Sequence, residues 1–326
     1  MKFYLLIQIS SHYDSNKWLL HIHFMNLKKI YVLLSWQLSS LILCGAGSMC
    51  TLISIKYEKT IPFFMVSITY CIIFLCFVWG APKSQIPWWK SILIAVATIA
   101  GDYSGVMAYS KTSFASALVL CTTTIFWVVP IGYFVFGRKI NLIQLFAIIL
   151  GVSGGAMILI SDGIKGNSWL GDVLALVSAI CYSIGTTLQE YLVHNDTTHS
   201  YLFRFSASAS PIAIICSAAI EWKTIRDYDW EWLSLGLILI YSILLSLYDI
   251  ISPYIMQYSD ATTMNLSLLT SNFYSLGISI LAFGLKFSWL YIVGFFCIPA
   301  AIAIFTLSEK EEQKEDSTML SFSELK

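Results

Sequence analysis

The chain has 326 residues, 57% of them apolar and only 12% charged, and its 19 basic and 19 acidic side chains cancel. A soluble domain carries about 25% charged residues, so a water-soluble globule is excluded, as are disordered and fibrous chains. No basic face for nucleic acid is implied. Membrane-spanning helices of about 20 residues use up most of the sequence, and the short polar breaks between them leave no room for a soluble catalytic domain.

In chain order, Phe3 to Ile9 is a brief apolar run with no small-residue cleavage site behind it, so it does not read as a signal peptide. Met25, just before Asn26-Leu27-Lys28-Lys29, offers an alternative start and makes residues 1–27 an N-terminal extension. Apolar segments follow at 30–55, 61–80, 89–110, 113–136 and 141–161, then at 169–192, 200–220, 232–257, 261–284 and 287–307. Their lengths predict helices, since a barrel strand needs only about 10 alternating residues. The expected architecture is an all-α integral membrane protein of ten transmembrane helices. Residues 28–162 form one five-helix half and 163–308 a second, and the mixed-charge segment 309–326 is an expected disordered tail.

Tryptophans punctuate the segment ends at Trp79, Trp88, Trp89, Trp169, Trp222, Trp230, Trp232 and Trp289, where indole rings favour the headgroup layer. With the N-terminus inside, 11 basic residues fall on the inner side and 7 on the outer, with Arg204 at a helix end. This bias predicts both termini in the cytosol. The host membrane is left open between plasma membrane and endomembrane. The acceptor triplet Asn195-Asp196-Thr197 then faces the cytosol and is expected to carry no glycan.

Eight cysteines all lie in apolar runs without C-x-x-C spacing, which reads as buried small hydrophobes rather than disulfides. His21-Ile22-His23 near a loose terminus makes no metal site, and no cofactor motif appears. An internal echo is visible at an offset of 147 residues. Phe136-Gly137-Arg138-Lys139 matches Phe283-Gly284-Leu285-Lys286, and Lys111 to Ser116 faces Tyr258 to Thr263. Two matches on one offset suggest a duplication. Five spans per copy would turn the second upside down, which places a cavity at the midplane.

Taken together, Trp88-Trp89-Lys90, Ala108-Tyr109 to Thr112, Gly171-Asp172 through Tyr182 to Glu190-Tyr191, Ala261 to Leu266, Tyr274-Ser275-Leu276 and Phe283-Gly284 to Ser288 carry a family likeness. The sequence from Leu27 to Ser308 resembles solute carrier family 35, F subgroup, within the EamA-like drug/metabolite transporter superfamily. That resemblance implies ten helices in two inverted five-helix repeats, a central cavity, and carriage of nucleotide-sugar-like or nucleoside-like solutes. The chain departs from the pattern at several positions. Thr98, Ala100 and Asp102 stand where relatives place acids or amides in the third span. Cys121 replaces an expected aspartate, Phe126 an expected proline, and Gln189 and Asn272 expected acids. The charge lining a cavity is therefore expected to differ from that of relatives.

A charge at a helix centre costs about 2.5–3.5 kcal/mol on insertion scales, so those that remain usually face a cavity. Asp102, in the third span beside Gly101 and Tyr103, is one candidate. Asp249, one turn before Pro253 in the eighth, is the other, with an expected helix interruption at the proline. Lys111 either snorkels at the interface or meets the solute. Asp172 is expected to favour the start of the sixth helix, and Glu190 and Arg204 either pair or snorkel at the following turn. Among uncharged groups, Tyr109, Thr123, Tyr182, Thr186, Asn265, Thr270 and Tyr274 are candidates for solute contact. Hydroxyls and amides orient hydrogen bonds and aromatic faces stack on planar rings. The same residues also glue helices together without a solute. Gly151-Val152-Ser153-Gly154-Gly155 reads as a close-packing face, not a phosphate loop.

The expected function is secondary transport of a small polar organic solute, nucleoside-, nucleobase- or nucleotide-sugar-like as the resemblance implies, by alternating access. No G-x-x-x-x-G-K-[ST] loop is present for ATP-driven pumping. An intramembrane enzyme is disfavoured, because no histidine lies in a span and no H-E-x-x-H or G-x-S-x-G occurs. A non-transporting scaffold or channel is the remaining alternative. Expected partners are the solute and the lipid bilayer, with homodimerisation left open.

Overall fold

The computed structural model describes residues 31–308 apart from 33, 80–83, 85, 125, 129, 132–140, 165–168, 260, 262–263, 265–267, 269, 283, 285–287, 302 and 305–306. Among the described residues there are helices and no strands. In chain order they are α1 (Leu34–Tyr57), α2 (Pro62–Phe77), α3 (Trp88–Lys111), α4 (Phe114–Cys121) and α5 (Leu142–Ile164). The second part adds α6 (Trp169–Asn195), α7 (Thr198–Ile220), the short α8 (Trp222–Arg226), α9 (Trp232–Met256), α10 (Thr270–Leu281) and α11 (Trp289–Ala301). Five of them, α1, α3, α6, α7 and α9, are long and apolar enough to cross a membrane. At 1.5 Å per residue, 24 residues extend about 36 Å, more than the roughly 30 Å hydrocarbon core.

The helix boundaries have local causes. Pro62 opens α2, where its missing N–H is not needed, and extended Pro87 precedes α3. Ser113 caps α4 by accepting from Ser116 N at 3.2 Å, Thr197 caps α7 in the same way, and a Glu231–Ser234 capping box starts α9. The first turn of α2 has no cap of its own. Glu221, at the end of α7, supplies one from outside by accepting from Phe63 N at 3.0 Å and Phe64 N at 2.9 Å.

Helix α3 packs most extensively on α6, and α2 on α7. Around them, α3 meets α7, α9 meets α2, α4 meets α6 and α10 meets α4. Small hydroxyls join these helices: Ser242 and Ser246 of α9 donate to the carbonyls of Met65 and Thr69 in α2, each at 3.1 Å, and Ser178 of α6 donates to Gly101 O at 2.8 Å. The α2–α7 seam runs from Glu221 at one end to a Phe77–His199 ring contact at the other. Helix ends therefore gather on two faces. One carries Trp36 hydrogen-bonded to Ser259 and Lys90 to Tyr191; the other carries Glu221 on α2, Lys59 on Asp227 O, and Gly171 against Thr112.

The outer surface is apolar, with Ile149, Phe146, Leu239 and Phe296 all exposed. Trp79, Trp169, Trp222, Trp232 and Trp289 stand exposed at or beside helix ends, as expected for headgroup-layer rings. Gly151 and Gly154 are packed closely, since a Cβ on Gly151 would run into the Phe126 ring and one on Gly154 would approach Gly294 O. The internal echo falls partly outside the described residues, as do residues 1–27 and the tail.

Candidate functional site

The inward faces of α1, α3, α4, α6 and α9 enclose a cavity with about 1100 Å³ of empty space, its open side included. Helix α3 contributes Thr98, Asp102, Gly105 and Tyr109 at the three- and four-residue spacings of one helix face, and α6 contributes Tyr182, Gly185, Thr186 and Gln189. Opposite them, α9 presents Tyr241, Tyr248, Asp249 and Ser252. Leu43 and Ala46 of α1, Leu118 and Cys121 of α4, and Met264 and Leu268 supply apolar wall. The result is a mostly apolar, aromatic chamber with a few converging polar groups, the usual composition of a small-molecule site.

Asp102 and Asp249 both reach this chamber, each past the middle of its helix, and they are held differently. Asp102 is 3% exposed and accepts two tyrosine hydroxyls: Tyr70 Oη of α2 donates to Oδ2, and Tyr182 Oη of α6 donates to Oδ1 at 2.6 Å. Two hydroxyl donors satisfy much of a buried carboxylate's need. Gly101 makes the arrangement possible, because a Cβ there would stand 2.9 Å from the Tyr182 ring. Asp249 Oδ2 is shielded from solvent and has no hydrogen-bond partner. One turn on, Pro253 has no N–H to give the Asp249 carbonyl. The expected interruption of the helix is not found, as α9 continues through Pro253 to Met256. The proline sits in the last turn, where the loss of one ladder bond is tolerated.

The structure brings Asp102, Tyr109, Tyr182, Thr186 and Asp249 together around the cavity. Lys111 is exposed in the last turn of α3, where its charge complements the helix dipole. Thr123 is buried and donates to Leu120 O at 2.6 Å, while its neighbours Thr122 and Thr124 line the cavity. Tyr274 is half-buried and donates to Gln37 Oε1 at 3.5 Å, tying α10 to α1. Asn265 and the side chain of Thr270 lie outside the described residues. Asp172 is fully buried in the first turn of α6. The guanidinium of Arg204 stacks over Trp88 at 4.5 Å, and its Nε and Nη1 make no hydrogen bond. Asn195 donates to Tyr191 O at 2.7 Å.

Tyr70, Tyr241, Tyr248 and Ser252 are part of this arrangement without having been singled out from the sequence. Tyr241 and Tyr248 are seven apart and Asp249 and Ser252 three apart, so helical spacing alone puts each pair on one face. Tyr70 carries no such signal, because its partner lies on another helix. No group of three or more metal-binding side chains is found among the described residues.

Comparison with known proteins places these features in context. A sequence model of solute carrier family 35 (SLC35F) matches residues 25–307. Solute carrier family 35 member F2 of Mus musculus is 27% identical over 286 residues, spanning 82% of this chain and 76% of that protein. Its Xenopus tropicalis counterpart is 28% identical over 285 residues, spanning 80% and 72%. An uncharacterized solute carrier family 35 member of Schizosaccharomyces pombe is 27% identical over 223 residues, 67% of this chain and 44% of that one. A solved crystal structure superposes with a TM-score of 0.54 at 14% identity, covering 86% of this chain and 96% of its own, which shows a shared fold.

Proposed function

We propose that this chain, which belongs to solute carrier family 35, is a secondary transporter that carries a small, ring-bearing polar solute, nucleoside- or nucleobase-like, through its central cavity. The observation that carries this reading is the chamber itself. Its walls come from both halves of the chain, and they hold two carboxylates and four tyrosines deep among lipid-facing helices. Tyrosine rings stack on planar solutes, while Thr186, which donates to Tyr182 O, and the Gln189–Ser252 pair at 3.3 Å add polar groups to the wall.

Ten spans in two inverted five-helix repeats are part of the same proposal. Support comes from how the helices pair. If α1 to α5 correspond in order to α6, α7, α9, α10 and α11, then the α3–α7 contact has its mirror in α2–α9. The α2–α7 and α4–α10 contacts each lie on the axis between the copies. The shorter apolar helices α2, α4, α5 and α11, together with α10, would complete the count. In this scheme the two copies rock about the midplane cavity to expose it alternately, with both termini in the cytosol.

Uptake by full-length protein in proteoliposomes tests the reading, using labelled nucleosides, nucleobases and nucleotide sugars. The expected result is saturable uptake of at least one ring-bearing solute above empty liposomes, competed by its unlabelled form. A protein that accelerates none of them and gains no thermal stability from any would be a scaffold rather than a carrier.

A further inference from the structure

We infer that the solute carries a positive charge on or beside its planar ring, and that Asp249 is the group that receives it. The inference rests on the proposed carrier reading and narrows its substrate class. Its first ground is the charge balance of the chamber. Asp102 and Asp249 both line it, and among the described lining residues none is Lys, Arg or His. The expected basic candidate, Lys111, stands outside at the helix end.

The second ground is the difference in how the two acids are satisfied. Asp102 already has its two tyrosine donors, whereas Asp249 Oδ2 is closed off from solvent with none. An unpaired buried carboxylate oxygen is costly, and a cation placed against the half-buried carboxylate recovers part of that cost. The adjacent backbone adds to this, since the Asp249 carbonyl lacks its donor at Pro253. The third ground is the walls: Tyr109, Tyr182, Tyr241 and Tyr248 line the chamber, and aromatic faces attract a desolvated cation. The same field opposes phosphate-bearing solutes, because two carboxylates with no lysine or arginine among the described lining residues repel a diphosphate. A nucleotide sugar is therefore a poor cargo for this chain, and a cationic or cation-substituted heterocycle a good one.

Three probes of one shape and different charge test this: 1-methylnicotinamide (a cation), nicotinamide (neutral) and nicotinate (an anion). UDP-glucose serves as the phosphate-bearing control. Binding to purified full-length protein is read by thermal shift, and uptake by proteoliposome flux. The cation should half-saturate at a concentration about tenfold or more below nicotinamide, and nicotinate and UDP-glucose should give no shift. Asp249→Asn should reduce the preference for cation over neutral probe to about threefold or less. Oδ2 has no protein partner to lose, so this variant is expected to fold. Should it fail to fold, the wild-type ranking alone decides.

Equal or tighter binding of nicotinate or UDP-glucose overturns the inference. So does a millimolar cation that leaves the protein unshifted, or a folded Asp249→Asn protein that keeps the full preference. Uptake of UDP-glucose or of a neutral nucleoside with no response to the cation would sink this inference and leave the carrier reading standing. No uptake of any solute would sink the carrier reading itself.

Discussion

The α3–α6 wall and the α9 wall each bring one aspartate to the same chamber, and they treat it in opposite ways. On the first wall, glycine at 101 lets the Tyr182 ring close in, and Tyr70 arrives from α2, so Asp102 is held by hydroxyls from two other helices. On the second, Asp249 has tyrosines beside it in the chamber, yet Oδ2 meets no donor. A carboxylate whose bonds are filled acts as a structural node. A carboxylate with a donorless oxygen at the wall of a chamber can pair with something that enters.

Stability measurements on the two acids break or sharpen this contrast most directly. Asp102→Ala strands two buried tyrosine hydroxyls, each worth about 1–3 kcal/mol when left unpaired. It should therefore destabilise the purified protein by about 3 kcal/mol or more in a detergent unfolding assay. Asp249→Ala should leave the protein as stable or make it more stable, because it removes no protein hydrogen bond at Oδ2 and relieves an unpaired buried oxygen. Equal losses at the two positions would erase the distinction.

Next in size are the donors. Tyr182→Phe should cost about 1.5–3 kcal/mol, the range for a hydrogen bond to a charged group. In a double-mutant cycle with Asp102→Asn it should show a coupling of about 1 kcal/mol or more. Additive losses would mean that the Tyr182 bond is not what holds Asp102. Gly101→Ala comes third. Its new Cβ, 2.9 Å from the Tyr182 ring, should cost about 1–3 kcal/mol by overpacking, and combining it with Tyr182→Ala should recover most of that loss.

The smallest effect concerns Glu221, outside the spans. Burial raises its carboxyl above the ordinary 4.5, against the opposing pull of the Phe63 and Phe64 N–H groups. The folded chain therefore binds this proton more tightly than the unfolded chain. The associated stability is complete below the unfolded pKa and is lost as pH climbs from 4.5 through the raised folded value. Unfolding midpoints across that interval should fall with pH in the wild type and flatten in Glu221→Gln. A variant that keeps the wild-type slope would assign the slope to another group.

Helix existence was legible because it rests on run length and on punctuation by Trp, Pro and Ser. The segment expected at 89–110 became Trp88–Lys111 and that at 200–220 became Thr198–Ile220. The intramembrane charges were legible as well, since the cost of burying them singles out Asp102 and Asp249. What each acid touches was not. Tyr70 and Asp102 meet through the packing of α2 against α3, which no spacing in the chain encodes. In the same way, Thr122, Thr123 and Thr124 all donate to carbonyls of α4, yet only Thr122 and Thr124 line the chamber. Three consecutive threonines project in different directions, and residue type alone does not order them. The tolerance of α9 for Pro253 was missed because a proline near a helix end breaks only one ladder bond.

The seam between α2 and α7 has a mechanical corollary. It is stitched by the Glu221 carboxylate at one rim and by the Phe77–His199 pair at the other, and it joins a helix of the first half to a helix of the second. If the chamber opens by the proposed rocking of the two copies, these two helices must either swing as a single strut or part at both fastenings.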